Sequence, residues 1–224
     1  MSLSSRAIVS LDEAKRYLGG LGWNDVDAVF LEGDDNSVGW IDLASYWLEE
    51  TIDNKVKPQE VEEMMDGSGD TIQELPYFPV IQIAGDDATA QLANLRYRTS
   101  WDGDWTNLLT NINAVFYDPH RKNLLTLING SLFPAGSNNL KVKWIAGYAP
   151  SDIPGTIKLV VLEKIFTIWK ESGKGASRLG KSSSSASAVG AGGSDSYVDM
   201  LARWDKMLKP FQKRGRSIIS QVMR

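Results

Sequence analysis

The sequence predicts an α+β fold: a small helical bundle of three to four main helices, combined with β-hairpins or a short antiparallel sheet. Three observations predict it. Apolar residues recur at helical spacing before residue 53 and again after Gly155. Between Glu60 and Ala146 the apolar residues alternate with polar ones in short runs, as in half-buried strands. A Gly/Ser tract then separates a C-terminal helix from the rest.

The same shifts in composition predict the domain plan. Residues 1–171 form a helical body, and its β-hairpins or sheet occupy about residues 60–146. Residues 172–196 are expected to form a flexible Gly/Ser-rich linker, because they hold too little apolar surface to order themselves. Residues 197–224 form a C-terminal helix followed by a basic tail.

The first helices are marked by their boundaries. Ser10 followed by Glu13 is a capping-box pattern, which predicts a helix from Leu11 to Leu18 that Gly19 and Gly20 stop. A second short helix is expected over residues 25–32.

A stronger helix is predicted from Ser37 to Asp53, because its apolar residues form one stripe. The stripe consists of Ile41, Ala44, Leu48 and Ile52. Trp40 and Trp47 lie off this stripe, and we expect them to pack beneath neighbouring loops.

The segment after residue 60 loses the helical period. Two extended runs flank the turn cluster Asp66–Asp70, which predicts a β-hairpin. Pro76 and Pro79 then hold Tyr77 and Phe78 in extended geometry before a third run. Further short strands are predicted at Val80–Ile83, Leu92–Arg98, Ala114–Tyr117, Leu124–Ile128 and Leu140–Ile145.

The stretch Leu140–Trp169 carries a strand directly into a helix. Trp144 and its neighbours two residues away alternate with lysines, as in a half-buried strand. Pro154 excludes an earlier helix start, so the helix is expected to begin at Gly155 or Thr156, with Thr156 as its N-cap. Its apolar residues cover more than one face, which predicts burial on several sides.

The last helix follows a cap at Ser194 or Asp195, and Pro210 ends it. Residues 201–224 carry a net charge of +6, whereas residues 1–200 carry −10. A basic end on an acidic body indicates a negatively charged contact, namely an acidic subunit face, a partner protein or nucleic acid. A solvated helix end is the alternative.

No catalytic residue, cofactor-binding residue or metal ligand is expected. The chain has no cysteine and a single histidine, His120, which is most simply a turn residue. Three pairs of acids have no further residues near them in the sequence that would complete a metal site or an acid-base site, and they fit solvated loops: Asp34-Asp35, Asp86-Asp87 and Asp102/Asp104. There is no basic start followed by an apolar run and no long apolar segment, so a soluble protein is expected.

One segment matches the sequence pattern of a nucleotide-binding loop. Residues Gly175 to Ser182 match G-x-x-x-x-G-K-[ST], but a helix precedes this string and a serine-glycine tract follows it. A phosphate-binding loop needs a strand before it and a helix after it. We therefore interpret the match as a coincidence of composition.

Several segments together resemble one family, the gp6-like or gp15-like head-tail connector (adaptor) proteins of tailed bacteriophages. SLDEAKRYLG at Ser10–Gly19 resembles the opening helix, and ASYWLEETID resembles the end of the second main helix. DGSGDTIQELPYFPVIQI resembles the hairpin followed by an L-P-x-x-P-V turn. NNLKVKWIAGYAPSDIPGTIKLVVLEKIF at Asn138–Phe166 is similar to the most recognisable stretch, a strand ending in A-G-Y, a proline and the long helix. The segment from about Tyr97 to Asn123 is longer than the family's usual short connection, and the Gly/Ser linker is also longer.

The resemblance implies a structural virion protein and not an enzyme. Its subunits would form a ring homo-oligomer, a dodecamer, in the neck of the virion after assembly in the host cytoplasm. The ring would bind the portal protein on one side and a downstream neck or tail protein on the other. Genomic DNA would pass through its lumen, and no membrane or cofactor is implied. A tail-completion or tail-terminator protein of the same virion is the alternative, followed by a DNA-binding protein using the basic tail.

Two residue sets are expected to make the contacts. The C-terminal helix and tail would face the portal or a neighbouring subunit through Tyr197, Met200, Leu201, Trp204, Leu208, Lys209, Lys213, Arg214 and Arg216. The hairpin and turn would contribute Asp66, Gly67, Gly69, Tyr77 and Phe78.

Overall fold

The computed structural model describes residues 3–4, 6–23, 26–34, 37–117, 123–172 and 197–212. Its helices are α1 Leu11–Gly20, α2 Ala28–Glu32, α3 Trp40–Ile52, α4 Ala88–Ala93, α5 Gly155–Glu171 and α6 Tyr197–Leu208. Its strands are β1 Gly33–Asp34, β2 Ser37–Val38, β3 Gln59–Gly67, β4 Ile72–Glu74, β5 Val80–Ile83, β6 Leu95–Tyr97, β7 Thr106–Asn107, β8 Val115–Tyr117, β9 Leu124–Leu127 and β10 Gly136–Ala146. The predicted α+β class, with its C-terminal helix, is confirmed.

The chain divides into two compact units. The helical unit comprises Met1–Asp53 and Asp152–Arg224, and the β unit comprises Asn54–Ser151. Within the described ranges, no helix combines the length and apolarity needed to span a membrane.

The capping box predicted for α1 is present. Ser10 accepts a hydrogen bond from the backbone N–H of Glu13, and the Glu13 carboxylate accepts one from the backbone N–H of Ser10. The helix continues through Gly19 and Gly20, two residues beyond the predicted end. The predicted stripe of α3 is confirmed, since all four of its residues are buried.

Helix α5 is buried on several sides, as its sequence predicts. Its buried residues are Ile157, Val160, Val161, Ile165, Thr167 and Trp169. The predicted N-cap was wrong, because Pro154 occupies that position without a side-chain cap and Thr156 already lies inside the helix. The α6 residues Leu201, Trp204 and Leu208 are buried in the helical unit.

The two tryptophans outside the α3 stripe pack against helices and not beneath loops. Trp40 stacks on Phe30 of α2 with 5.4 Å between ring centroids, and Trp47 meets Trp204 of α6 edge-on at 5.2 Å. Aromatic pairs in this distance range favour such offset or edge-on arrangements. These rings therefore join separate helices of the helical unit.

The β unit is built on the long strand β10. One edge of β10 pairs antiparallel with β3 from Gln59↔Ala146 to Met65↔Leu140, and the other pairs with β5 and β6 in succession. Strand β7 extends this central sheet beyond β6, whereas β4, β9 and β8 form a separate three-stranded sheet. The buried core of the unit includes Leu75, Ile83, Leu95, Leu125, Phe133, Leu140, Val142, Trp144 and Ala146.

The β-hairpin predicted around Asp66–Asp70 was wrong. The turn forms, but β3 pairs with β10 and β4 pairs with β9. The side chain of Gln73 closes the turn instead, since it accepts from the Ser68 N–H at 2.9 Å and donates to the Asp66 carbonyl at 3.3 Å. The three-residue β4 offers β3 much less backbone than the eleven-residue β10.

Several predicted strand boundaries also change. The run Leu92–Arg98 is not one strand, because α4 occupies its start and β6 begins only at Leu95. Asp87 caps α4 by accepting a hydrogen bond from the Ala90 N–H at 2.8 Å. Strand β10 begins at Gly136, four residues before the predicted start.

Some predictions concern residues outside the described part of the chain. They are the linker beyond Ser172, the string Gly175–Ser182 and the caps at Ser194 and Asp195. Asp35, the turn residue His120 and the tail residues Lys213, Arg214 and Arg216 also lie outside it.

Candidate assembly surfaces

The predicted contact residues of the turn make bonds within the β unit. Asp66 Oδ1 accepts hydrogen bonds from the Asn138 N–H at 2.8 Å and the Ser137 hydroxyl at 2.9 Å, which hold the pKa of the Asp66 carboxyl below its usual value. Gly67 donates to Asn139 Oδ1 at 2.9 Å. Gly69 lies at φ 72° beside Ala135, in the left-handed region that glycine adopts without strain.

Tyr77 and Phe78 are half-buried in the same unit. The Tyr77 carbonyl accepts a hydrogen bond from Trp144 Nε1 at 3.2 Å, and Lys55 Nζ lies 5.5 Å from the Tyr77 ring centroid. The Phe78 N–H donates to Asn54 Oδ1 at 3.0 Å. Both residues therefore help to position the loop that leads into β5.

Helix α6 presents a polar surface and not its apolar stripe. Trp204 and Leu208 are fully buried, whereas Arg203, Lys206 and Lys209 are exposed. The side chains of residues 197–199, Tyr197 included, lie outside the described structure, and Met200 is half-buried. Among the described side chains at this end of the chain, the cations are therefore exposed while Trp204 and Leu208 are not.

A cationic depression lies on the outer face of the central sheet. Its volume is about 170 Å³, and it is lined by Glu62, Ala93, Asn94, Arg96, Lys141 and Lys143. Strand alternation creates this face, because the Leu140, Val142 and Trp144 side chains point into the core while those of Lys141 and Lys143 point outward.

Ion pairs order the two lysines of this depression. Lys141 Nζ lies 2.6 Å from Glu62 Oε1, and Lys143 Nζ lies 2.6 Å from Glu60 Oε2. The hydrogen bond from Lys141 lowers the pKa of Glu62, and the hydrogen bond to Glu60 raises the pKa of Lys143. In contrast to the two ion-paired lysines, Arg96 has a buried Nε without a hydrogen-bond partner among the described residues.

Residues 98–105 connect β6 to β7 and form the aromatic loop. The guanidinium carbon of Arg98 lies 5.0 Å from the Trp101 ring centroid and 4.8 Å from the Trp105 ring centroid. Arg98 also donates to the carbonyls of Trp101 at 2.6 Å and Asn138 at 3.1 Å. Trp101 remains 80% exposed, the highest value among the exposed large apolar residues.

The sequence prediction missed Arg96, Arg98 and Trp101. In the sequence, the acids of the segment WDGDW at residues 101–105 predict only a solvated loop. A usable signal was present, because Arg96 and Arg98 alternate with the apolar Leu95 and Tyr97 and so had to share the face opposite the core.

The described residues hold no group of three or more His, Cys, Asp or Glu side chains able to bind a metal. Asp34 accepts a hydrogen bond from the Ser37 hydroxyl at 2.8 Å, and Asp87 serves as the α4 cap. Asp102 and Asp104 are exposed in the aromatic loop.

No protein-family model and no curated protein matches the sequence. Among solved structures, the chain is similar to a protein in the neck of an empty gene transfer agent (GTA) particle computed with C6 symmetry. That match has a TM-score of 0.49 at 15% identity and covers 91% of this chain and 92% of that chain. A chain of the native GTA virion matches with a TM-score of 0.48 at 13% identity, covering 91% and 92%. A chain of the native GTA neck computed with C12 symmetry matches with a TM-score of 0.44 at 12% identity, covering 91% and 94%.

Proposed function

We propose that this protein is a head-tail connector, or adaptor, in the neck of a tailed-phage-like particle. Its subunits form a ring, a dodecamer, between the portal and the next neck or tail component, and the ring prolongs the DNA channel. The role is structural and involves no catalysis.

The proposal rests on the position in the fold of the segment that resembles the connector family most, namely the strand ending in A-G-Y, the proline and the long helix. Strand β10 ends at the buried Ala146, and the Tyr148 N–H donates to the Val56 carbonyl at 2.7 Å. A short 3-10 turn at Pro150–Asp152 follows, and α5 begins at Gly155. The chain leaves the β unit and re-enters the helical unit within this turn. The segment with the strongest family resemblance therefore forms the connection between the two units.

Charge supports a channel role in a second way. Residues 1–200 carry a net charge of −10. An acidic channel wall repels the DNA phosphates and would let the genome slide through without being gripped. A strongly basic lumen in the assembled ring would contradict this part of the proposal.

The deciding experiment mixes the full chain with the portal protein of the same particle and measures the mass of the complexes by native mass spectrometry. We expect a portal-bound ring of twelve copies. Binding to tail protein but not to portal would indicate a tail-completion or tail-terminator protein instead. Salt-sensitive DNA binding without either partner would indicate a DNA-binding protein that uses its basic tail.

A truncation tests the contribution of the C-terminal end. Removal of residues 196–224 would also remove Trp204, which is fully buried in the helical unit. The informative cut therefore follows Gln212, because it removes Lys213, Arg214 and Arg216 and keeps α6. We expect a folded chain with weaker incorporation into the neck. Normal incorporation would show that the tail cations make no essential contact.

A further inference from the structure

We propose that the outer face of the central sheet is a docking surface for an acidic segment of a protein partner that also bears apolar side chains. The surface consists of the depression around Arg96, Lys141 and Lys143 and of the adjoining Trp101. This inference does not depend on the proposed neck function, since it rests only on side chains of the β unit.

The depression contains hydrogen-bond donors that could bind a carboxylate. Arg96 Nε is buried without a partner in the described structure, and a guanidinium binds a carboxylate through two parallel hydrogen bonds. Lys141 and Lys143 each have one glutamate partner, but an ammonium group carries three donors. The cavity lining holds three cations and one carboxylate, that of Glu62, so a single incoming carboxylate would still meet an excess of positive charge.

Trp101 provides an apolar anchor next to these cations. Its indole is held on one side by the Arg98 guanidinium, which is itself fixed by hydrogen bonds to the Trp101 and Asn138 carbonyls. The ring is thus ordered before binding although it is 80% exposed, which lowers the entropic cost of a contact. Tryptophan and arginine are the residues most enriched at the energetic centres of protein interfaces.

The two features lie on one continuous face. Arg98 lies one residue beyond β6, but its N–H donates to the Asn139 carbonyl of β10 at 3.0 Å, which continues the β6–β10 register and places the Arg98 side chain on the same side as that of Arg96. Across the sheet Arg96 pairs with Lys141, which in turn pairs with Met64 of β3. Met64 is 57% exposed and adds a second apolar contact to the surface.

A protein partner fits this surface better than nucleic acid. The surface also carries carboxylates: Glu60 and Glu62 on β3 pair with the two lysines, and Asp102 and Asp104 are exposed in the aromatic loop. They would repel the successive phosphates of a DNA or RNA strand, whose binding depends on neutralising several charges at once. A lone carboxylate between apolar side chains avoids this repulsion and can place its neighbours against Trp101 and Met64.

The test uses the full chain and three fluorescein-labelled probes in anisotropy titrations. The probes are an acidic decapeptide with one central Glu flanked by Leu and Ser, the same decapeptide with Lys in place of Glu, and a single-stranded oligo(dT) of roughly 20 nucleotides. We expect saturable binding of the acidic peptide alone. Arg96→Glu and Trp101→Ala should each weaken it by about tenfold or more.

Matched variants control for charge and for exposed aromatic area. Lys15→Glu changes the net charge as Arg96→Glu does, and Phe116→Ala removes another exposed aromatic ring of the β unit. Both should bind the peptide within about twofold of the original chain. The proposal is overturned by an absence of saturable acidic-peptide binding, by equal losses in Lys15→Glu and Arg96→Glu, or by tighter binding of oligo(dT). Melting curves of each variant identify any loss that comes from unfolding.

Discussion

Trp204 Nε1 donates a hydrogen bond to Oε2 of Glu163, which joins the C-terminal helix α6 to α5. Arg203 Nη2 lies 2.7 Å from the same carboxylate oxygen, and only 14% of the Glu163 side chain is exposed. The indole ring of Trp204 is fully buried against Trp47. The last helix is therefore held within its own subunit by one carboxylate and an aromatic contact.

Trp204→Phe should destabilise the chain by about 1–3 kcal/mol, because it leaves a mostly buried carboxylate without its neutral donor. Urea unfolding of the full chain measures this loss. The matched variant is Arg203→Ala, whose side chain is 52% exposed and whose ion pair should contribute less than about 1 kcal/mol. A larger loss for Arg203→Ala than for Trp204→Phe would contradict this ranking.

Stability should fall at acid pH partly through Glu13. Burial raises the pKa of Glu13, but the hydrogen bond from Lys158 Nζ at 2.9 Å and those from Ser10 outweigh burial and lower the pKa below its ordinary value of 4.5. A carboxyl with a lowered folded-state pKa stabilises the fold above its unfolded pKa. That contribution is lost as the pH falls from about 4.5 through the lower folded pKa.

Glu13→Gln should therefore flatten the dependence of the unfolding free energy on pH below about 5. The measurement is a set of urea titrations between neutral pH and about pH 3. Asp12→Asn, which removes an exposed acid on the same turn of α1, is the control for the loss of one negative charge. Identical slopes for Glu13→Gln and the original chain would rule out this contribution.

Gly147→Ala should prevent the β unit from folding normally. Gly147 has φ 120°, and a Cβ there would lie 2.3 Å from the Lys57 carbonyl oxygen. Neither the backbone strain nor the overlap with another backbone atom relaxes by a side-chain rotation. We expect a loss above about 3 kcal/mol or insoluble protein, measured by soluble yield and melting temperature.

Gly130→Ala is the control that separates the cost of backbone strain from the cost of atomic overlap. Gly130 also has positive φ, 81°, but a Cβ there has no neighbour within 4 Å. Its cost should be limited to backbone strain of about 1 kcal/mol. If the two variants lost the same stability, the close approach of Lys57 to Gly147 would not be the cause.

Tyr117→Phe should weaken the link between the two sheets of the β unit. The Ile83 N–H donates to the Tyr117 hydroxyl at 2.9 Å, Ile83 is fully buried, and burial raises the pKa of Tyr117. Removal of the hydroxyl leaves this N–H without an acceptor and should cost about 1–3 kcal/mol in urea unfolding. Tyr46→Phe, with a side chain 51% exposed, should change stability by less than about 0.5 kcal/mol. If Tyr117→Phe left the free energy of unfolding unchanged, another acceptor would have replaced the hydroxyl.

Local pattern was sufficient for most helices and strands. The α1 capping box, the α3 stripe and the alternation in β10 each involve residues within four positions of one another, and all three form as predicted. The failures arose where partners lie far apart in the chain. Strand β3 pairs with residues 69 or more positions away, and no local rule could prefer that pairing to a hairpin with β4.

The sequence by itself determined the α+β class, the core face of α3 and the strand-to-helix passage around Pro154, because side-chain periodicity and proline geometry act within a few residues. Only the tertiary structure decided the strand order, the packing of Trp204 inside its own subunit and the exposure of Trp101. These properties depend on which distant residues meet. For the same reason, Arg96 of β6 contributes to the lowered pKa of Glu62 on β3 only because β10 pairs with both strands.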